Sequence, residues 1–163
     1  MKRLIKNEGF TLIELLVVIA VIGLLATIVM VSLNSARGKA RSTRRMADLR
    51  QIKLALEMYY DTNGSYPSTG SVWQSACSYP TTYIPGLSTY INQLPRDPLE
   101  NCSVLAYWYY YRSDGTNYKA LIPYRIYERC SDGQGPGIVD PARLCSNASE
   151  QSWAAYTSGA AGW

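Results

Sequence analysis

Two hydrophobic periods divide this chain. From Phe10 to Leu33 the residues are almost all apolar, interrupted by Glu14 and by small or hydroxyl side chains. A run of that length, wound as a helix, spans the roughly 30 Å hydrocarbon core of a bilayer. From Ser35 to Tyr60 no proline occurs, and Ala, Leu, Arg, Lys, Met and Gln dominate, so the helix is expected to continue. There Leu49, Ile52, Ala55, Leu56 and Tyr59 recur at three- and four-residue spacing and make one apolar face for a globular domain. "DTNGSYP" ends the helix, with Asn63-Gly64 as a left-handed cap and Pro67 beyond it. A helix from Phe10 to about Thr62 would be roughly 80 Å long. Its first half would be a bare apolar rod, which needs a membrane or other copies of itself.

Beyond the helix the period changes to two. In "VLAYWYYYRSDGTNYKALIPY", two runs rich in Tyr, Trp, Leu and Ile flank Ser113-Asp114-Gly115-Thr116 and predict a β-hairpin. Tyr107, Tyr109 and Tyr111 would point one way, toward the helix face, and Trp108 and Tyr110 the other. Pro123 is expected to shorten the second strand or place it at an edge. Asp97, between two prolines, reads as a turn residue. The final "TSGAAGW" reads as a mobile tail. The class is α+β: one long N-terminal helix packed on a small antiparallel sheet.

Charge changes this picture in one place. The segment between Gly9 and Ser35 holds Glu14 and no Lys, Arg or His. An ionised carboxylate in hydrocarbon needs a partner or a function, or must snorkel to the interface. Lys2, Arg3 and Lys6 precede the apolar run. Arg37, Lys39, Arg41, Arg44, Arg45, Arg50 and Lys53 follow it, against Asp48 alone. From residue 54 onward six basic and nine acidic residues make a mildly acidic globule. The basic stem has three readings: a nucleic-acid surface, a contact for acidic headgroups or acidic neighbours, and a solvated helix face. Without interleaved aromatic residues, nucleic acid is the least supported.

The excess of Lys and Arg after the apolar run would by itself favour a cytoplasmic C-terminus. The cysteines argue the opposite. Cys77, Cys102, Cys130 and Cys145 all lie in the distal part, none as Cys-x-x-Cys, and the chain has no His, so zinc-ligand spacing is absent. An even number of cysteines beyond a membrane segment suggests two disulfides in an oxidising compartment, with four free thiols as the alternative. Three pairings exist; sequence proximity favours Cys77–Cys102 and Cys130–Cys145.

"KNEGFTLIELLVVIAVIGLLA" resembles the N-terminus of type IV prepilins and of the pseudopilins of type II secretion. The resemblance implies a leader at residues 1–9, cleavage after Gly9 by a prepilin peptidase that also methylates, and N-methylation of Phe10. Glu14 matches the glutamate at the fifth position of the mature chain. It would neutralise the new amine of its own chain or of a neighbouring subunit during assembly. The implied layout is a transmembrane or filament-core helix at 10–34, an amphipathic half at 35–62, and a pilin-like head at 63–163 with a sheet and disulfide loops. Where many pilins carry a proline about eight residues after a mid-span glycine such as Gly23, this chain has Val31. "YYDTNGSYP" and "YINQLPRDP" are most similar to the major pseudopilin. That protein holds calcium in a distal loop, for which Asp132 and Asp140 in "CSDGQGPGIVDPARLC" are the candidate ligands here; a disulfide closing this loop is the other reading. No other cofactor is implied.

Nothing in the chain suggests catalysis: it has no Gly-x-Ser-x-Gly and no phosphate loop. Asn63, Asn101 and Asn147 begin Asn-x-Ser sequons, read as chance matches. The resemblance implies a structural subunit that polymerises with other pilin-like subunits and engages an inner-membrane assembly platform. It would sit in the inner membrane with its head outside the cytoplasm before joining a surface pilus or a pseudopilus. The alternative is a monomeric membrane-tethered module whose head binds an extracellular ligand.

Overall fold

A computed structural model describes residues 10–103, 108–124 and 151–163. The chain divides into two compact units, Met1–Gly38 and Lys39–Trp163. One helix, α1 (Leu12–Asn63), runs through both.

In the first unit the helix carries its apolar residues outward on all sides. Phe10 is 79% exposed and Leu12 88%, and Leu16, Ile19, Leu24, Ile28 and Met30 are all exposed. Among the described residues α1 is the one helix long and apolar enough to cross a membrane, and its most apolar stretch buries nothing.

In the second unit a four-stranded antiparallel sheet has the order β1-β2-β3-β4. Its strands are β1 (Gln74–Ser75), β2 (Tyr110–Ser113), β3 (Tyr118–Tyr124) and β4 (Gln151–Tyr156). The expected helix face forms the core: Leu49, Ile52, Ala55 and Leu56 are buried, with Tyr59 packed against them. Tyr109, Tyr111 and Tyr118 join the same cluster from the sheet, with Tyr83, Ile84, Leu87, Ile91 and Leu94 from the long connection before β2. The alternation holds: Tyr109 and Tyr111 are buried, whereas Trp108 and Tyr110 are half-exposed. Tyr107 lies outside the described residues.

The helix stops as its sequence dictates. Gly64 takes φ 70°, and its N–H donates to the Tyr60 carbonyl at 2.7 Å. This left-handed cap is open to glycine at little cost. The hairpin pairs Ser113 with Tyr118. Its loop is closed by the Asp114 carboxylate, which accepts from the N–H groups of Thr116 and Asn117 at 2.8 and 2.6 Å.

Two expectations are corrected. Pro123 stands one residue before the last described residue of β3, in keeping with a limit on the strand, but it does not make β3 an edge: β3 is an interior strand, and Pro123 pairs with Ser152 of β4. The ladder to β2 has already ended at Tyr110–Leu121, so a missing N–H at Pro123 removes no β2 bond there. The C-terminal segment is docked rather than loose. A short 3-10 turn at Ser158–Ala160 follows β4, and Ala160 is fully buried. The buried Lys119 of β3 donates to the carbonyls of Trp163 at 2.7 Å and Ala161 at 3.4 Å. The Arg112 guanidinium lies 4.6 Å from the Trp163 ring centroid. Of the small residues in this stretch Ala160 is the buried one, whereas Ser158, Gly159 and Gly162 are exposed.

Candidate functional site

The N-terminal site begins at the first turn of α1. Thr11 precedes the helix and Glu14 is its third residue. The Glu14 carboxylate accepts from the Thr11 N–H at 2.8 Å and from the Thr11 hydroxyl at 2.6 Å. The Glu14 N–H lies 3.3 Å from the Thr11 hydroxyl oxygen. This is a capping box, in which residues three apart satisfy two backbone N–H groups that the start of a helix leaves orphaned. The Thr-x-x-Glu spacing in "TLIE" is the local signal for it. Phe10 is exposed beside this turn. Gly9 and the rest of the leader lie outside the described residues.

Toward the head, one member of the basic stem is not solvated. Arg45 is 2% exposed, and its guanidinium grips Asp97 through two bonds, Nε to Oδ2 at 2.6 Å and Nη2 to Oδ1 at 3.0 Å. Asp97 is itself 5% exposed. It remains a turn residue as expected, since its Oδ1 also accepts from the Leu99 N–H at 2.8 Å, but it is a buried ion-pair partner as well. No local pattern announces a contact across 52 positions. Arg37, Lys39, Arg44, Arg50 and Lys53 are exposed, which all three readings of the basic stem require. Nearby, Asp48 accepts from the Tyr109 hydroxyl at 2.7 Å. Burial raises the Asp48 carboxyl above its ordinary value, opposed by that hydrogen bond and by Arg44 and reinforced by Asp97. Burial likewise pushes the Tyr66 hydroxyl up to about 12, with Glu57 beside it adding to the shift.

Cys77 and Cys102 form a disulfide, the pairing that proximity favoured. Glu100 joins them in a compact cluster. Both sulfurs are committed to the bond, and Arg96 Nη2 donates to Glu100 at 2.8 Å, so the cluster is a structural clip rather than a ligand set for a metal. Cys130, Cys145 and the calcium candidates Asp132 and Asp140 lie outside the described residues. The outer sheet face is occupied by its own side chains. Trp108 stacks on Tyr110 with centroids 6.0 Å apart, Trp73 meets Tyr110 edge-on, and Arg112 lies between Trp73 and Trp163.

Comparison with known proteins separates the two parts of the chain. Residues 5–30 match the prokaryotic N-terminal methylation motif. Residues 32–146 match the family model described as type II secretion system (T2SS), protein G. Curated relatives named type II secretion system core protein G are similar. That of Escherichia coli (strain K12) is 38% identical over 106 residues, covering 61% of this chain and 72% of the relative. That of Pseudomonas aeruginosa is 32% identical over 143 residues, covering 85% and 94%. That of Vibrio cholerae is 35% identical, covering 62% and 71%. No solved structure matches the chain significantly. The methylation motif is common to pilins and pseudopilins; the head makes the distinction, and with its family model spanning well over half the residues, the chain belongs to the type II secretion system protein G family.

Proposed function

We propose that this chain is the structural, polymerising subunit of a type II secretion pseudopilus, cut after Gly9 by a prepilin peptidase and methylated on Phe10. Before assembly it rests in the inner membrane with its head in the periplasm, and an inner-membrane platform feeds it into a helical filament of pilin-like subunits. It is a substrate of processing enzymes, not an enzyme. The single observation that carries this reading is the apolar stretch of α1, exposed on every side in a chain whose N-terminal motif belongs to processed subunits. Such a surface is stable only in lipid or packed against identical helices. Residues 1–9 then form the leader, 10–34 the membrane and filament-core helix, 35–62 its amphipathic half and 63–163 the head.

In this reading Glu14 acts twice. Before processing it caps α1 through Thr11. After cleavage it offers its charge to the amine of Phe10, on its own chain or on a neighbour. The test is intact-mass measurement of the protein from its native membrane, together with electron microscopy of filaments from cells overproducing it. The expected result is loss of residues 1–9, one added methyl on the new N-terminus, and filaments containing the chain. A mature protein that begins at Met1 and stays monomeric would overturn the reading in favour of a membrane-tethered binding module.

A further inference from the structure

The turn that delivers Asp97 to Arg45 also delivers a second carboxylate. The Glu100 N–H donates to the Asp97 carbonyl at 3.0 Å, and Asp97 Oδ1 holds the Leu99 N–H between them. With the backbone fixed in this way, Glu100 Oε1 lies 3.3 Å from Cys77 Sγ. A disulfide sulfur carries no proton, so this contact is no hydrogen bond. On its other side the same oxygen accepts from Arg96 Nη2 at 2.8 Å. The two sulfurs are unequal: Cys102 is exposed and Cys77 half-buried.

We propose that Glu100 protects the Cys77–Cys102 disulfide against reduction, and that Arg96 sets the strength of that protection. A thiol reductant can approach the exposed Cys102. Its thiolate attacks Cys102 Sγ, a mixed disulfide forms there, the Cys77–Cys102 bond breaks, and the electron pair leaves on Cys77 Sγ. A second reductant thiolate then attacks the mixed disulfide, releasing the Cys102 thiolate and the oxidised reductant. The first step places a developing negative charge on the sulfur that faces the Glu100 carboxylate. Like charges at that distance repel, which makes Cys77 a poorer leaving group and slows exchange. Arg96 partly neutralises the carboxylate and so moderates the effect. The clip is placed where reduction would matter, because the loop it closes carries Asp97, the counter-charge of buried Arg45. The inference does not depend on polymerisation, and its failure would leave the filament reading intact.

The experiment follows reduction of the full-length protein in detergent by dithiothreitol at mildly alkaline pH. Differential alkylation and mass spectrometry of the Cys77 and Cys102 peptides give the rate. Circular dichroism confirms that each oxidised variant is folded. Glu100→Gln should be reduced about three- to tenfold faster than wild type, the scale set by one nearby charge acting on a leaving thiolate. Arg96→Gln should be reduced about two- to threefold more slowly than wild type, because the carboxylate is no longer screened, and an unchanged rate would overturn the role given to Arg96. A merely structural role for the ion pair predicts the reverse for Arg96→Gln, since breaking the pair from either side would loosen the turn and speed both variants. Faster reduction of Arg96→Gln, or a Glu100→Gln rate at or below wild type, overturns the proposal.

Discussion

Arg45 and Asp97 show how much a single residue's role depends on a partner far away in sequence. Two charges removed from water cost several kcal/mol each, and only close, doubly bonded geometry returns that cost. Removing one partner is therefore worse than removing both. Asp97→Ala leaves a buried guanidinium without this counter-charge and should destabilise the head by about 3–5 kcal/mol. The double variant Arg45→Met with Asp97→Asn keeps an acceptor for the Leu99 N–H and should recover most of that loss. Urea unfolding of the detergent-solubilised chain, followed by tryptophan fluorescence, gives both values; equal losses for the single and double variants would refute the ion-pair account. Asp48 makes the opposite case. Its carboxyl is raised by burial, so its ionised form is disfavoured in the folded state. The sign follows from linkage: its contribution is fully present below the ordinary aspartate value of 3.8 and is lost as pH rises through the higher folded value. Asp48→Asn still offers an oxygen to the Tyr109 hydroxyl. It should be at least as stable as wild type near neutral pH, and any advantage should shrink as the medium is acidified toward the ordinary value. Unfolding midpoints at neutral and acid pH check this, and an advantage that grows on acidification would contradict it.

At the scale of elements, the parts bounded by short-range rules behave as those rules say. Gly64 occupies the left-handed cap of α1 with open space where a Cβ would be, so Gly64→Ala tests backbone conformation alone. It should cost about 1 kcal/mol and lower the melting temperature of the head by about 4–8 °C; an unchanged melting temperature would mean the cap is not needed. The Cys77–Cys102 bond closes a loop with a sequence separation of 25. The chain-entropy model gives it about 3–4 kcal/mol, so the paired variant Cys77→Ser with Cys102→Ser should unfold at much lower urea. These features were legible because their signals are local: three- and four-residue spacing for the buried helix face, alternation for Tyr109 and Tyr111 against Trp108 and Tyr110, Asn-Gly at the cap. The features that no local pattern carries depend on distance or on chemistry shared with loops. Arg45 looks like its exposed neighbours until Asp97 is brought to it. The last seven residues have the composition of a tail, and their partners, Tyr118 and Asn117 on Thr157, Lys119 on the final carbonyls and Arg112 on Trp163, all lie far back in the sequence. Pro123 marks a sheet edge locally, but whether β3 as a whole is an edge depends on β4, which the hairpin sequence does not mention. The capping box at Thr11 is a local signal of the same kind as the Asn-Gly cap, carried by the Thr-x-x-Glu spacing.

The whole molecule combines a basic leader, an apolar segment, a basic stem and an acidic head, and its function depends on whether the apolar segment meets lipid or copies of itself. On the proposed reading Glu14 is the residue whose surroundings change between those two states. Within one chain its carboxylate is already used by Thr11, so capping alone explains a carboxylate at this position without any filament. On the proposed reading assembly uses something more, the charge itself, because cleavage after Gly9 would leave an amine at Phe10 to be neutralised among apolar side chains. Glutamine separates the two roles. Glu14→Gln keeps an acceptor for the Thr11 N–H but carries no charge, whereas Glu14→Leu loses both. Both variants should insert in the membrane at least as well as wild type, since each removes a charge from hydrocarbon. Both should be cut after Gly9, and both heads should unfold at the wild-type urea concentration, because Leu49 and the rest of the core lie on other turns of the helix. If charge pairing drives docking, both should lose filaments alike, with sheared filament yield falling about tenfold or more, the effect of roughly 1.4 kcal/mol per contact. If the cap is what matters, Glu14→Gln should assemble nearly as well as wild type and only Glu14→Leu should fail. The comparison is made in cells lacking the wild-type copy, with membrane level, leader cleavage and filament yield measured on the same cultures. Normal filaments from Glu14→Gln would remove the charge from the mechanism and leave Glu14 as the cap of its own helix.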